Sequence, residues 1–99
     1  MKNVTVVATM EARPGKEAEM KELLLGVVVP TRQERGCINY DLHEAPEQPG
    51  KFLFYENWES KELLDAHLKS KHMTAAFPRI KELSATEPVI SLWEKTEES

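Results

Sequence analysis

The stretch Phe52-Leu53-Phe54-Tyr55-Glu56-Asn57-Trp58 constrains the fold more than any other part of the chain. Successive strand residues point to opposite faces. Phe52, Phe54, Glu56 and Trp58 therefore share one face, and Leu53, Tyr55 and Asn57 the other. Large side chains on both faces demand cover on both. Val4 to Glu11 repeats the pattern, setting Val4, Val6, Ala8 and Met10 against Thr5, Val7, Thr9 and Glu11. A third such segment, about Pro88 to Lys95, puts Val89, Ser91 and Trp93 opposite Ile90 and Leu92. A fourth, about Cys37 to Glu44, sets Ile38, Tyr40 and Leu42 against Asn39, Asp41 and His43. Period-two alternation of this kind reads as four strands.

Two segments follow the helical period instead. From about Lys16, Met20, Leu23, Leu24, Val27 and Val28 recur on one side, with Lys16, Glu17, Glu19, Lys21 and Glu22 mostly outside. Pro14-Gly15 supplies the preceding turn. Pro30 is expected to kink or restart this helix, since proline lacks the N–H and clashes with the turn before it. Thr31 to Arg35 reads as one further turn, with Gly36 as a left-handed cap. The second helical segment starts after Ser60, a good N-cap, and carries Leu63, Leu64, His67 and Leu68. A break near Ser70-Lys71 leads to a shorter helix with Met73, Ala76, Phe77, Ile80 and Leu83, interrupted at Pro78. Ala45 to Lys51 reads as a loop.

The order is β-α-β-β-α-β with a broken second helix: an α+β class chain of ferredoxin-like arrangement with an antiparallel sheet. At 99 residues, residues 1–99 are expected to form one domain. The helices can cover one face of the sheet. The strands at either end of the chain and the one at Phe52 to Trp58 are apolar on the other face too. A second copy of the same sheet is the economical cover, so a homodimer through the open face is expected.

Composition narrows the partners. The formal charge is −4, which argues against nucleic acid or an anionic membrane as the main partner. No apolar run reaches the ~20 residues of a membrane span, and Met1-Lys2-Asn3-Val4 passes straight into a strand pattern. A cytoplasmic protein is expected. Cys37 is the single cysteine. It forms no internal disulfide and no CxxC motif, and is expected to be a buried, inert thiol rather than a reactive one. The charge clusters Lys16 to Glu22 and Glu94 to Glu98 read as solvated faces, and Thr96 to Ser99 as a polar, frayed tail.

Glu56-Asn57-Trp58-Glu59-Ser60, then Leu63-Leu64-Asp65-Ala66-His67, then Lys71-His72-Met73 form a run that resembles the antibiotic-biosynthesis monooxygenase family. Within it the chain looks most similar to bacterial quinol monooxygenases. Pro14-Gly15-Lys16, Thr31 to Cys37 and Tyr40-Asp41-Leu42-His43 fit the same pattern, so the likeness covers about Val4 to Leu92. The resemblance implies a dimeric α+β barrel with a pocket between sheet and helices in each subunit. Characterised members oxidise anthrones or quinols with molecular oxygen, without metal or flavin; other branches cleave haem or isomerise a small phosphorylated signalling-sugar derivative. The haem-cleaving branch uses asparagine, tryptophan and histidine where this chain holds Val7, His67 and Phe77, which points away from haem. The pocket asparagine and tyrosine of the anthrone oxygenases are replaced here by Phe54 and Leu64. The signalling-sugar branch shares the two histidines but lacks the Trp58 pattern.

Oxygenation without a cofactor needs a base tuned near neutral pH and a dry pocket for a flat substrate. His67, among Leu63, Leu64 and Leu68, is the candidate catalytic base; the alternative is a hydrogen-bonded core histidine. His72 is the second catalytic candidate, although five residues is an awkward helical spacing. A two-histidine metal site is the weaker alternative, with no obvious third ligand at helical spacing, and the resemblance implies that no metal or cofactor is needed. His43, on the face opposite Tyr40, reads as solvent-exposed or interfacial. Trp58 and Phe77 are candidate pocket walls, with packing as the alternative. Tyr40 could donate a hydrogen bond to a substrate oxygen or merely pack. Glu56, among aromatics, could orient a histidine or pair with Arg32 or Arg79.

Three functions fit these residues. The first is a cofactor-independent monooxygenase that oxidises a hydroquinone or related polyphenolic aromatic. The second is an isomerase or tautomerase of a small polar ligand, for which Lys71 and Arg79 are the candidate phosphate-binding cations. The third is a binding module without turnover.

Overall fold

The computed structural model describes residues 3–97. Strands β1 (Val4–Glu11), β2 (Cys37–Glu44), β3 (Lys51–Trp58) and β4 (Val89–Trp93) form one antiparallel sheet in the order β2-β3-β1-β4. Helices α1 (Glu17–Gly26), α2 (Val28–Arg32), α3 (Lys61–Leu68) and α4 (Lys71–Leu83) are the other elements. This is the expected ferredoxin-like order. Met1 and Lys2, where the chain was expected to lead into a strand, and Glu98 and Ser99, the end of the expected polar tail, lie outside the described residues.

Register places the alternation. β1 pairs β3 with Val6 opposite Glu56, Ala8 opposite Phe54 and Met10 opposite Phe52. β1 pairs β4 with Val6 opposite Leu92 and Ala8 opposite Ile90. Tyr40 lies across from Glu56. Val6, Ala8, Met10, Tyr40, Phe52, Phe54, Glu56 and Trp58 are all buried on the helical side, where they meet Met20, Leu24, Leu64, Met73, Ile80 and Leu83 from the helices. Burying each large apolar side chain is worth about 1.5–3 kcal/mol.

Three local expectations are corrected. Ile38 was expected to alternate inward with Tyr40. A β-bulge between Cys37 and Asn39 inserts it as the extra residue, so Ile38 is exposed while Cys37 packs against the core. The break in the first helical segment falls at Val27, the residue between α1 and α2, rather than at Pro30. Pro30 stands in the first turn of α2, where the missing N–H has no helical acceptor to lose. Pro78 does not interrupt the last helix: α4 runs through it. Pro78 and Thr74, four residues earlier, are both exposed, so water can solvate the carbonyl that proline leaves unbonded.

The helix starts and the turn into β2 follow the sequence signals. Ser60 Oγ accepts from the Leu63 N–H at 3.2 Å and Ser70 Oγ from the Met73 N–H at 3.4 Å. Gly36 has φ 88°, and a Cβ there would strike the Leu63 side chain. Among the described residues, no helix is long and apolar enough to cross a membrane.

Candidate active site

A cavity of about 410 Å³ lies between the sheet and helices α3 and α4. Its walls are mainly apolar: Val6, Ala8, Met10, Phe54, Leu64 and Phe77 are among them. Three polar residues join these walls at the rung where Tyr40, Glu56 and Val6 pair across the sheet: Tyr40, Glu56 and His67. Two ion pairs, Lys61 with Asp65 and Lys81 with Glu87, also border it.

His67 is held from three sides. Its ring lies 4.6 Å from that of Trp58 and edge-on to Tyr40 at 5.4 Å. Tyr40 in turn stacks on Phe54 at 4.5 Å. The third hold is Glu34, in the turn between α2 and β2, whose Oε2 accepts from His67 Nδ1 at 2.7 Å. A carboxylate oxygen only accepts, so the ring proton sits on Nδ1 and Nε2 carries the lone pair. Every sealed side-chain polar atom among the described residues has a partner. Nε2 has none, so it is the atom open to the cavity. Burial pushes the His67 pKa below its ordinary value, the charge and hydrogen bond of Glu34 opposing and His72 adding to the fall. The ring is thus neutral at neutral pH, the state a base requires.

The same Glu34 oxygen accepts from His72 Nε2 at 2.8 Å. Thr31 Oγ1 at 3.1 Å and Ser70 Oγ at 3.3 Å stand beside that nitrogen. The helix break at Lys69-Ser70 brings the two histidine rings to 6.1 Å in spite of their five-residue spacing. Glu34 is therefore the third group that helical spacing could not supply. Glu34, His67 and His72 each offer a ligand atom, all within 4.8 Å of one another. A tetrahedral zinc with bonds of about 2.0–2.1 Å spaces its ligand atoms roughly 3.3 Å apart. Both histidines hydrogen-bond the one oxygen at shorter range, so a cation would first have to spread the cluster.

Glu56 is 4% exposed. Its Oε1 accepts from Trp58 Nε1 at 2.9 Å. The expected pairing with Arg32 or Arg79 does not occur: Arg32 bonds Asp41 and the Tyr40 carbonyl, and Arg79 pairs with Glu19 and Glu82. Burial pushes the Glu56 carboxyl up to about 7, against the Trp58 bond and with the charge of Glu34 adding. Burial likewise raises the Tyr40 phenol far above its ordinary value, with Glu56 adding and a hydrogen bond with Thr31 opposing. Tyr40 therefore stays protonated and able to donate.

The sequence-derived candidates thus separate. His67, Tyr40, Glu56 and Phe77 line the cavity; Trp58 and His72 do not. Trp58, wholly buried, stands behind Glu56 and His67 and fixes both. His43 is exposed on the open face. Cys37, expected to be buried, is half-buried, and burial pushes its thiol up to about 11, away from the reactive thiolate. Glu34 is the residue the sequence reading missed. It is 33 positions from His67 and sits in an ordinary charged run, so neither spacing nor composition marks it.

Residues 3–79 match the family described as antibiotic biosynthesis monooxygenase. Rv0793 of Mycobacterium tuberculosis is 35% identical over 86 residues, 87% of this chain and 83% of that protein. A conserved protein from Methanosarcina mazei superposes with a TM-score of 0.91 at 30% identity, covering 97% of this chain and 95% of its own. A crystal structure described as antibiotic biosynthesis monooxygenase gives 0.90 at 29% identity, covering 95% and 99%. With the fold matched end to end and the family matched over most of the sequence, the chain belongs to the antibiotic biosynthesis monooxygenase family.

Proposed function

We propose that this protein is a cofactor-independent monooxygenase that oxidises a hydroquinone or related polyphenolic aromatic with molecular oxygen. Family membership supports the monooxygenase-type reaction. The observation that carries the finer reading is the His67 ring: neutral, held through Nδ1 by Glu34, with Nε2 open to an apolar cavity. His67 takes a phenolic proton, Glu34 stabilises the imidazolium that results, and His72 shares the Glu34 oxygen. The electron-rich anion left in a dry pocket then reacts with oxygen directly. Phe77 and Phe54 provide flat walls, and Tyr40 donates to a substrate oxygen.

The open sheet face supports a homodimer. Val89 and Trp93 are each 58% exposed and Tyr55 44%, on the side opposite the helices. A second copy of the sheet would cover them. A stable monomer in sedimentation at micromolar concentration would reject this assembly.

An isomerase needs no oxygen, which separates the two chemistries. Arg79, one of the two candidate phosphate-binding cations, is engaged by Glu19 and Glu82 and is absent from the cavity lining. Substrate conversion should require oxygen, consume it mole for mole, and stop under argon. Equal conversion without oxygen would replace the monooxygenase by the isomerase.

A further inference from the structure

Glu56 is the cavity group that the Glu34–histidine cluster leaves unused. One oxygen is committed to Trp58. The other has no protein partner, and since no sealed polar atom lacks one, it opens to the cavity that Glu56 lines. Among the described residues, no cation pairs with it. Lys61 is taken by Asp65, Lys81 by Glu87, Arg32 by Asp41, and Arg79 by Glu19 and Glu82. The titratable groups around it are Tyr40 and Cys37 on β2, Glu34 in the turn before β2, His67 on α3 and His72 on α4. β1 presents only Val6 across from it. A buried carboxyl without a counter-charge favours its neutral form. The Trp58 N–H makes Oε1 an acceptor, which leaves the acid proton to the cavity oxygen.

His67 Nε2, the Tyr40 phenol and this carboxyl all stand at one rung of the sheet. From there the cavity runs along β1 toward Met10, past Ala8 and Phe54, between apolar walls. Strand residues rise ~3.4 Å each, so Met10 lies about 14 Å beyond Val6. The ion pairs Lys61–Asp65 and Lys81–Glu87 also border the cavity but are satisfied within themselves, so the side-chain polar atoms left for an aromatic ligand stand at the Glu56 end.

We propose that Glu56 is a substrate-binding and specificity-determining residue, which holds a second ligand oxygen beside the one that faces His67. The site therefore selects aromatics whose two oxygens lie on one edge, such as vicinal diols, over isomers with oxygens at opposite ends. The proposal rests on the aromatic-substrate reading above for its ligand class, and within that class it favours polyphenols with vicinal oxygens over para-hydroquinones. Once His67 takes a proton, the neutral Glu56 O–H can donate to the ligand oxyanion, where an ionised carboxylate would repel it.

The test is anaerobic calorimetry with two naphthalenediols, one with vicinal hydroxyls and one with hydroxyls at opposite ends. Turnover plays no part in it, so a failed oxygenase assay and a failed binding preference are separate results. Wild-type protein should bind the vicinal isomer at least about tenfold more tightly, because a buried hydrogen-bonding group left unpaired is costly. Glu56→Leu should abolish the preference, and Glu56→Gln, which can still donate and accept, should retain most of it. Equal affinities in the wild type, no binding of either diol, or a preference unchanged in Glu56→Leu would overturn the proposal.

Discussion

The two faces of the sheet are built from the same four strands and come to opposite ends. On the helical face, Glu56, Trp58, His67 and Glu34 are joined by hydrogen bonds and ring contacts into one fixed cluster around a cavity. On the open face, Trp93, Val89 and Tyr55 present large apolar groups that no other described element covers. Apart from Ile90 and Leu92 of β4, which stay half-exposed at the cavity, the helical face has its partners within the chain, and the proposed chemistry lies there. The open face is the one that the proposed dimer would cover. Period-two alternation decides which residue goes to which role, so a one-residue slip would exchange Glu56 for Tyr55.

The largest expected effect of breaking this contrast is on the open face. Trp93→Asp should weaken the proposed dimer more than 100-fold, as loss of a buried aromatic anchor does. Analytical ultracentrifugation across a dilution series reads it, and an unchanged sedimentation coefficient would place the interface elsewhere.

On the covered face, Glu56 makes stability depend on pH. Its folded pKa is raised, so the native state binds the proton more tightly than the unfolded chain, and stability falls as pH rises from about 4.5 through about 7. The full span is worth at most about 3 kcal/mol. Glu56→Gln should remove that dependence and gain on the wild type at pH 8 but not at pH 4. Parallel denaturation curves for the two proteins at both pH values would contradict it.

Glu34→Gln comes next. It keeps a polar group beside both histidines but loses the charge that supports His67. Turnover should drop about 10–100-fold, as when the orienting partner of a functional histidine is lost. The acid limb of the rate profile should also move to lower pH, because Glu34 opposes the lowering of the His67 pKa. A limb that stays in place would make Glu34 merely structural.

An effect on stability alone is expected at Gly36, where the chain turns into β2. Gly36→Ala forces a side chain into φ 88° and against Leu63, at a cost of about 1–3 kcal/mol. Thermal melting should show a fall of several degrees; an unchanged melting temperature would mean that the turn relaxes freely.

How much of this was legible depends on how local the signal is. β1 and β3 follow from alternation within eight residues each, and Ser60 from a cap three residues long. The β-bulge at Ile38 leaves no such local mark, because an extra residue in one strand shows only against its partner. The helix break at Val27 was hidden behind the louder signal of Pro30. In the site, His67 and Glu56 could be placed on the correct faces, but their partners could not. Glu34 meets His67 only after the chain has folded back across 33 residues, and no periodicity reports such a meeting. Trp58 and Phe77 looked alike as candidate walls; packing alone decides that one lines the cavity and the other stands behind it.

The central claim is that His67 is the base of a cofactor-free oxygenation. It is tested most directly by oxygen uptake of metal-stripped protein with a panel of reduced quinones and anthrones, corrected for autoxidation, beside His67→Ala. Catalysed uptake that falls about 10²–10⁴-fold in the variant is the predicted result. Uptake no faster than autoxidation, or a variant as fast as the wild type, would contradict it.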